Sequence, residues 1–311
     1  MHSQILSNRV LKLMGNRFEF TVIAENKEIG NQAIEQAITE VKRIEELLST
    51  FKTSSQANEI NDQAGIKPVK VDREVLQLIS RANKISAITD GAFDITYGSI
   101  DKSLWNFDLK MTSLPDQETA LKTVDLINYH HVLINDEECT VMLKNKGMRI
   151  GFGGIGKGYA ADKAKQILQN LGIKSGIVNA AGDLITWGEQ LNGSAWTIGI
   201  ADPEQSSRPF SSLNISNMAI ATSGNYEKFV IIDGKRYSHT IDPKTGLPVS
   251  GIKSVSIICP SAELADALAT PVVVMGVKVG LNLINQLKHV ECVIIDDHDK
   301  LYTSKNIIIK E

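Results

Sequence analysis

Cysteine is scarce in this chain. There are three, Cys139, Cys259 and Cys292, far apart and each in an apolar, strand-like neighbourhood (TVMLK, SVSIICP, ECVII). An odd, widely spaced set argues against a disulfide framework and against a cysteine-built metal centre. It predicts buried thiols acting as small core hydrophobes. An excess of either charge is also lacking: 33 Lys and Arg stand against 36 Asp and Glu, a formal net charge of -3. That leaves no polybasic signal for a nucleic-acid partner or a membrane surface, although a local cluster can still hold a small anion. No apolar run reads as long enough to span a bilayer. "MHSQILSNRV" has neither the basic n-region nor the apolar h-region of a signal peptide. Internal repeats, low-complexity tracts and an obvious linker are missing too. What remains is 311 residues, 42% apolar and 22% charged. That is an ordinary core-forming composition for one large domain or two small ones.

Periodicity places the elements. RFEFTVIAE, residues 17–25, alternates like a half-buried strand. Ile34, Ala37, Ile38, Val41, Ile44, Leu47, Leu48 and Phe51 then recur at helical spacing. STFKTSSQANEINDQAG reads as a polar loop with a short turn. Asp72 reads as the N-cap of a helix with Val75, Leu76, Ile79, Ala82 and Ile85 on one face. PDQETALKTVDLI starts like a short helix, and HHVLINDEECTVMLK reads as a hairpin around Asp136 and Glu137. A strand (MRIGF) precedes a glycine-rich stretch. Next is a helix with Ala160, Ala164, Ile167, Leu168 and Leu171 inward, stopped by Gly172. The second half is mostly strands (GIVNAAGDLITWG, AWTIGIAD, MAIATSG, KFVIIDGKRYSHTID), the last folding back at Asp233-Gly234. SVSIICPSAELADALATPVVVMG reads as strand then helix, VKVGLNLINQLKHV as a helix, and ECVIIDDHDKLYTSKNI as a closing hairpin. Long helices with consecutive antiparallel strands predict an α+β fold rather than a β-α-β alternation.

The stretch GFGGIGKGYAAD, residues 151–162, matches two phosphate motifs in part. Glycines between a strand and a helix N-terminus suit an anion, because backbone N–H groups and the helix dipole favour negative charge. Lys157 adds a cation. A dinucleotide fingerprint needs an acidic residue about 20 positions on, and LGIKSGIVN has none. A P-loop needs a Ser or Thr after the lysine to bind Mg2+, and Gly158 stands there. The plain alternative is close packing of a helix on a sheet.

Other polar groups cluster in sequence. SHTIDPKTGLP, residues 238–248, holds His239, Asp242, Lys244 and Gly246 around a Pro-rich turn. A lone histidine is more often structural, but this one leaves a hairpin strand among polar groups. AELADALAT puts Asp266 and Thr270 at i, i+4 on one helix face. A carboxylate with a hydroxyl suits a hard cation such as Mg2+, and a capped or solvated face is the bland alternative. TDGAFD, residues 89–94, offers a turn, an aromatic and Asp94, and LMGNRF puts Met14 just before the first predicted strand.

Together and in this order, LMGNRF, LSTF, GAFDIT, GGIGKGYAAD, NAAGD, ATSGNY, SHTIDPKTG and ADALAT closely resemble the ApbE family of flavin transferases. The likeness runs from about Met14 to the end of the chain. It implies one ApbE-like α+β domain over 1–311, with room for two subdomains, built of antiparallel sheets with packed helices. It implies FAD as substrate and Mg2+ as cofactor. FMN would pass from FAD to a Ser or Thr hydroxyl of a partner flavoprotein, and AMP would leave. Two alternatives on the same scaffold are Mg2+-dependent hydrolysis of FAD to FMN and AMP, and flavin binding without turnover.

Carried over by position, the resemblance puts Met14 and Phe51 against the flavin or its neighbour. Ala92, Phe93 and Asp94 would contact FAD, and Lys157 would lie by the phosphates. The backbone carbonyl of Gly154, with Asp266 and Thr270, would hold Mg2+. His239 would act as base on the acceptor hydroxyl, with Thr240 and Asp242 close by. Two positions depart from the family pattern. Phe51 stands where relatives usually have Tyr, and Gly151 where they usually have the Asp of D-L-G-G or D-F-G-G. Relatives are mostly lipid-anchored on the outer side of the bacterial inner membrane. The expectation is therefore a cell-envelope location if a signal was trimmed, and a cytoplasmic one otherwise.

Overall fold

A computed structural model of the chain describes residues 4–101, 104, 112–201, 209–224 and 229–307. The chain opens with β1 (Ile5–Leu13) and β2 (Asn16–Ala24), then α1 (Lys27–Leu48), α2 (Gln56–Asp62), β3 (Val69–Lys70) and α3 (Arg73–Ile88). A 3-10 turn (Ile95–Ser99) leads to α4 (Gln117–Lys122), β4 (Val132–Asn135), β5 (Thr140–Leu143) and α5 (Gly156–Asn170). The strands β6 (Ser175–Ala180), β7 (Asp183–Trp187), β8 (Trp196–Ala201), β9 (Pro209–Ile215) and β10 (Ala219–Gly224) follow. The chain continues with β11 (Phe229–Ile232), β12 (Lys235–Ser238), β13 (Ile252–Cys259), α6 (Ala262–Ile284), β14 (Glu291–Asp296) and β15 (Leu301–Thr303).

Eight strands form one sheet in the order β1-β2-β6-β7-β10-β13-β14-β15, and every pairing in it is antiparallel. This is the α+β architecture predicted from the pattern, and it excludes the parallel sheet of a dinucleotide-binding fold. Successive side chains of a strand point to opposite faces. Phe18, Phe20 and Val22 of β2 accordingly enter the large core beneath α1, α5 and α6, while Ile23 enters a smaller cluster with Leu184, Trp196, Ile198, Ile220, Ile258 and Val293. The helices therefore cover one face, and the β8–β9 hairpin packs toward the other. A third cluster, built on Ile100, Val124 and Ile241, ties the region after the 3-10 turn to the loop beyond β12.

Several expectations are met closely. Ile34, Ala37, Ile38, Val41, Ile44 and Leu48 of α1 are buried on one face, and Asn26 caps the helix by accepting from the Ile29 N–H. The short helix expected in PDQETALKTVDLI is α4, capped by Asp116. Asp233 and Gly234, with φ of 51° and 74°, make the two-residue turn between β11 and β12.

Other elements differ from the sequence reading for physical reasons. An unforeseen strand, β1, pairs with β2 across a Met14-Gly15 turn; it is an edge strand with most residues at least partly exposed, so its alternation is weak. Phe51 lies beyond the end of α1 and leaves the apolar stripe. The polar stretch after it contains a full helix, α2, capped by the Ser55 hydroxyl. Asp72 stands at the N-cap of α3 but makes no side-chain cap bond. MRIGF forms no strand: Ile150 donates its N–H to Asn61 Oδ1 (2.6 Å) and accepts from Asn61 Nδ2 (3.1 Å), so a side chain replaces the ladder. GIVNAAGDLITWG is two strands, turning at Ala181-Gly182 with φ of 56° and 98°. Leu171 is exposed just past α5, and Cys139 sits in the β4–β5 turn with φ of 56°. All three cysteines are free thiols, and burial raises Cys259 and Cys292 to about 12.

The two C-terminal helices are joined as α6 across a break at Gly276 (φ 78°), with Pro271 inside the first part. Contrary to the sequence reading, α6 is long and apolar enough to cross a membrane by length and composition. In this fold its Ala265, Ala267, Leu268, Val272 and Ile284 are packed into the main core. The turn residues Asn225 and Tyr226 of ATSGNY, with Asp202 and Lys228 at predicted strand ends, lie outside the described residues.

Candidate functional site

The glycine stretch ends where α5 begins, and α5 packs against the N-terminus of α6. The approach is close: a Cβ at position 158 would fall 2.1 Å from the Ala262 carbonyl oxygen. This contact explains Gly158, and it brings the first turn of α5 onto Asp266. The Gly158 N–H donates to Asp266 Oδ2 at 3.0 Å. Lys157 Nζ lies 3.3 Å from Asp266 Oδ1 and 2.7 Å from Asp183 Oδ2. Asp183 and Asp266 are only 5% and 6% exposed, which is rare for carboxylates unless they are paired or bind a metal. Burial works against the charge on Lys157, but Asp266 and Asp183 outweigh it and hold the ammonium well above the ordinary lysine value. Asp183 is pushed up, by burial first and by Asp266 second.

Asp162, one turn along α5, fixes the same junction. It accepts from Ser261 Oγ (2.8 Å), the Ala262 N–H (3.0 Å) and the Glu263 N–H (3.0 Å). The free amides at the start of α6 are thus satisfied by a carboxylate, which also suits the positive end of the helix dipole. Arg81 of α3 grips Glu263 with two hydrogen bonds, 2.6 and 2.9 Å.

Beside this junction lies an aromatic and methionine border. The Met14 methyl would be 3.7 Å from a Cβ at Gly156, and Phe93 Cε2 would be 3.5 Å from one at Gly154. Gly151 faces Thr50, whose methyl would be 4.0 Å from an added Cβ. Phe51 follows directly and is 97% exposed. A fully bared Phe beside a glycine-lined loop at a helix N-terminus offers a platform for a planar ring. Ala92 and Phe93 are almost buried. Asp94 turns its carboxylate inward: it accepts from the Thr96 N–H (2.8 Å), Thr96 Oγ1 (2.6 Å) and the Tyr129 N–H (2.7 Å). Its proton affinity is raised, chiefly by burial, with these bonds opposing. In this structure Asp94 shapes the 89–97 loop.

The loop after β12 docks on the same 89–97 segment. The Ile241 N–H donates to Tyr97 Oη at 3.3 Å, and Lys244 pairs with Asp90. Gly246 (φ 69°) packs on the Ala120 carbonyl, where a Cβ would come within 2.0 Å. Asp242 stabilises its own turn by accepting from the Lys244 N–H at 2.8 Å. His239 occupies the exposed bend directly after β12, and Thr240 beside it is buried. Thr270, a turn beyond Asp266 on α6, reaches Ser223 Oγ of β10 at 3.4 Å.

The fold thus gathers Met14, the Thr50–Phe51 corner, Phe93, Gly151–Lys157 and Asp266 into one region. The His239–Thr240 bend is held to that region through Tyr97 and Asp90. Two residues carry more than the sequence reading assigned them. Asp162 and Asp183 lie within the GGIGKGYAAD and NAAGD motifs, and their sequence context alone assigns them no role. The signal for Asp183 was an acid opening a strand, DLITW, that is otherwise apolar or half-polar.

The junction also fits a divalent cation. Asp183 Oδ2 is buried, and its close contact is the ion pair with Lys157 at 2.7 Å rather than a backbone or neutral donor. An ammonium already occupies the space between two carboxylates, so the pocket is built for positive charge. Among the described residues no three His, Cys, Asp or Glu side chains converge as a metal cluster. A cation here would rely on two carboxylates, oxygens of Thr270 or the backbone, and ligand phosphates, which is how Mg2+ is usually held.

Comparison with known proteins bears on the fold and the family. The ApbE family model matches residues 14–294. An FAD:protein FMN transferase of Klebsiella pneumoniae (strain 342) is 32% identical over 257 residues, covering 82% of this chain and 79% of the relative. One from Treponema pallidum (strain Nichols) is 31% identical over 291 residues, covering 89% and 80%. The crystal structure of the ApbE protein from Thermotoga maritima superposes with a TM-score of 0.85 at 31% identity, covering 97% of each chain. With the motifs in order, the antiparallel fold and a match over nearly the whole chain, the chain belongs to the ApbE family.

Proposed function

We propose that this protein is a Mg2+-dependent FAD:protein FMN transferase that attaches FMN to a Ser or Thr hydroxyl of a partner flavoprotein and releases AMP. The observation that carries this reading is the convergence of two buried carboxylates, Asp183 and Asp266, on Lys157 at the N-terminus of α5. A diphosphate needs opposing charge and fixed donors at this kind of place. The exposed Phe51 beside it offers a surface for the isoalloxazine ring.

The transfer forms a bond between the acceptor hydroxyl oxygen and the FMN phosphorus and breaks the phosphorus–oxygen bond to AMP. A base must take the hydroxyl proton. His239 is the proposed base, since imidazole titrates near neutrality. Its place in an exposed bend suits a hydroxyl delivered by another macromolecule. Lys157 and the amides of the glycine stretch would orient the diphosphate and oppose its charge. Asp183, Asp266, Thr270 and the Gly154 carbonyl would hold Mg2+, which when bound neutralises charge on the phosphate oxygens and leaving group. The cell-envelope location implied by the resemblance remains part of the proposal, to be checked by fractionation.

The test is to incubate the protein with FAD and Mg2+ and follow AMP, with and without a flavoprotein fragment bearing a Ser or Thr acceptor. Acceptor-dependent AMP with covalent flavin on the fragment is expected. AMP at the same rate without acceptor makes the protein an FAD diphosphatase, and flavin binding with no AMP makes it a carrier. Asp266→Ala should abolish AMP release; full activity in that variant, or in EDTA, removes the cation from the mechanism.

A further inference from the structure

We infer that Lys157 is a built-in counter-cation for the Asp183–Asp266 pair, which a divalent cation displaces so that the freed ammonium turns to the diphosphate. Asp183 is then a second carboxylate of the cation site rather than a structural partner of Lys157. This rests on the proposed function for the identity of the diphosphate, but not for the exchange itself.

Three features carry it. The two carboxylates come from separate elements, β7 and α6, and converge on Lys157 Nζ, 2.7 and 3.3 Å away, close enough that each raises the cost of charge on the other. Two buried carboxylates face a single ammonium, and a divalent cation would oppose both of them where the ammonium opposes one charge. An uncompensated buried charge is costly, so such a pocket favours a cation of higher charge over the ammonium. The contacts are also unequal in the way an exchange requires. Asp266 is anchored independently through the Gly158 N–H at 3.0 Å. Asp183 Oδ2 has the ion pair with Lys157 rather than a backbone or neutral donor. Finally, the Lys157 side chain is 23% exposed against 7% for each carboxylate. Its flexible four-carbon stem can withdraw toward the opening while the acids stay in place. Binding of the cation and of the diphosphate would thus be coupled: each draws the same ammonium away from the pair.

The exchange is tested without FAD, by titrating the full-length apoprotein with Mn2+ and reading the free ion by electron paramagnetic resonance. Lys157→Met removes the competitor and should bind Mn2+ about ten- to a hundredfold more tightly than the unmodified protein, the range a charged contact commands. Adding Asp183→Asn to Lys157→Met should remove that gain. Should Lys157→Met fold poorly with two unopposed acids, Mn2+ should raise its melting temperature far more than that of the unmodified protein. Equal Mn2+ affinity and equal thermal response in Lys157→Met and the unmodified protein overturn the exchange. So does a gain that survives Asp183→Asn. If AMP release from FAD persists in either case, the proposed function stands without it. If Mn2+ behaves as expected but FAD is never cleaved, the exchange stands and the function falls.

Discussion

Gly158 and Ala262 touch through backbone alone: the Cα of one faces the carbonyl oxygen of the other, with no room for a Cβ between them. That contact is why the lysine of the glycine stretch is not followed by the hydroxyl residue of a P-loop. The position is used to seat one helix on another and to point the Gly158 N–H at Asp266. Gly158→Ala should therefore force α5 and α6 apart. Overpacking of this kind costs about 1–3 kcal/mol, and the clash is with rigid backbone. Urea unfolding should show a lowered midpoint, and AMP release should fall with it. A variant as stable and active as the parent would mean that the helices can separate freely.

Asp162 holds the other side of the junction by accepting three hydrogen bonds from residues 261–263. Asp162→Ala leaves two amides at the start of α6 without this acceptor. The expected loss is about 1–3 kcal/mol, as for a helix cap or an unmade bond to a charged group. Chemical denaturation measures it directly, and a change below about 0.5 kcal/mol would show that water replaces the carboxylate at no cost.

His239→Ala should slow transfer to the acceptor by about 100- to 10,000-fold, the usual cost of a lost general base. FAD binding should hardly change, because the side chain sits in an exposed bend. Fluorescence titration of FAD and covalent flavin on the acceptor separate the two. Weak FAD binding by the variant, or transfer at the normal rate, takes His239 out of the role.

The resemblance to the ApbE pattern implies Asp where Gly151 stands, and the structure decides whether an Asp can be placed there. Gly151 is not among the residues with positive φ, and an added Cβ would meet nothing nearer than Thr50 Cγ2 at 4.0 Å. Backbone strain is therefore no obstacle. Gly151→Asp should tighten FAD about ten- to a hundredfold if the new carboxylate takes a hydrogen bond from the ligand. Gly151→Ala is the control and should leave affinity unchanged. Equal affinities for Asp and Ala in two well-folded variants would place position 151 away from the ligand.

Much of this molecule is legible in its residues. The stripe of α1, the Asp233-Gly234 turn and the Asp266/Thr270 spacing follow from periods of 3.6 and 2 and from turn chemistry, which are local rules. Absent cysteine pairs and balanced charge narrowed the class, and ordered motifs pointed to the family. Local rules failed where a partner distant in sequence decided the outcome. Ile150 reads as strand, but Asn61, 89 residues away, supplies its hydrogen bonds. Phe51 reads as the end of an apolar stripe, but the helix stops first and the ring is left bare. β1 reads as nothing, because an edge strand exposed along most of its length carries little alternation.

The site divides in the same way. Sequence alone determined that Lys157 ends a glycine run leading into a helix and that Asp266 lies on a helix face. It could not determine that Asp183 would join them, because residues 157, 183 and 266 meet only when α5, β7 and α6 are packed around one core. Nor could it show that Gly158 is required by a backbone rather than by a phosphate. Charge and spacing are properties of the chain. Which charges are buried against each other is decided by packing, because only the assembled core excludes the water that would otherwise screen them.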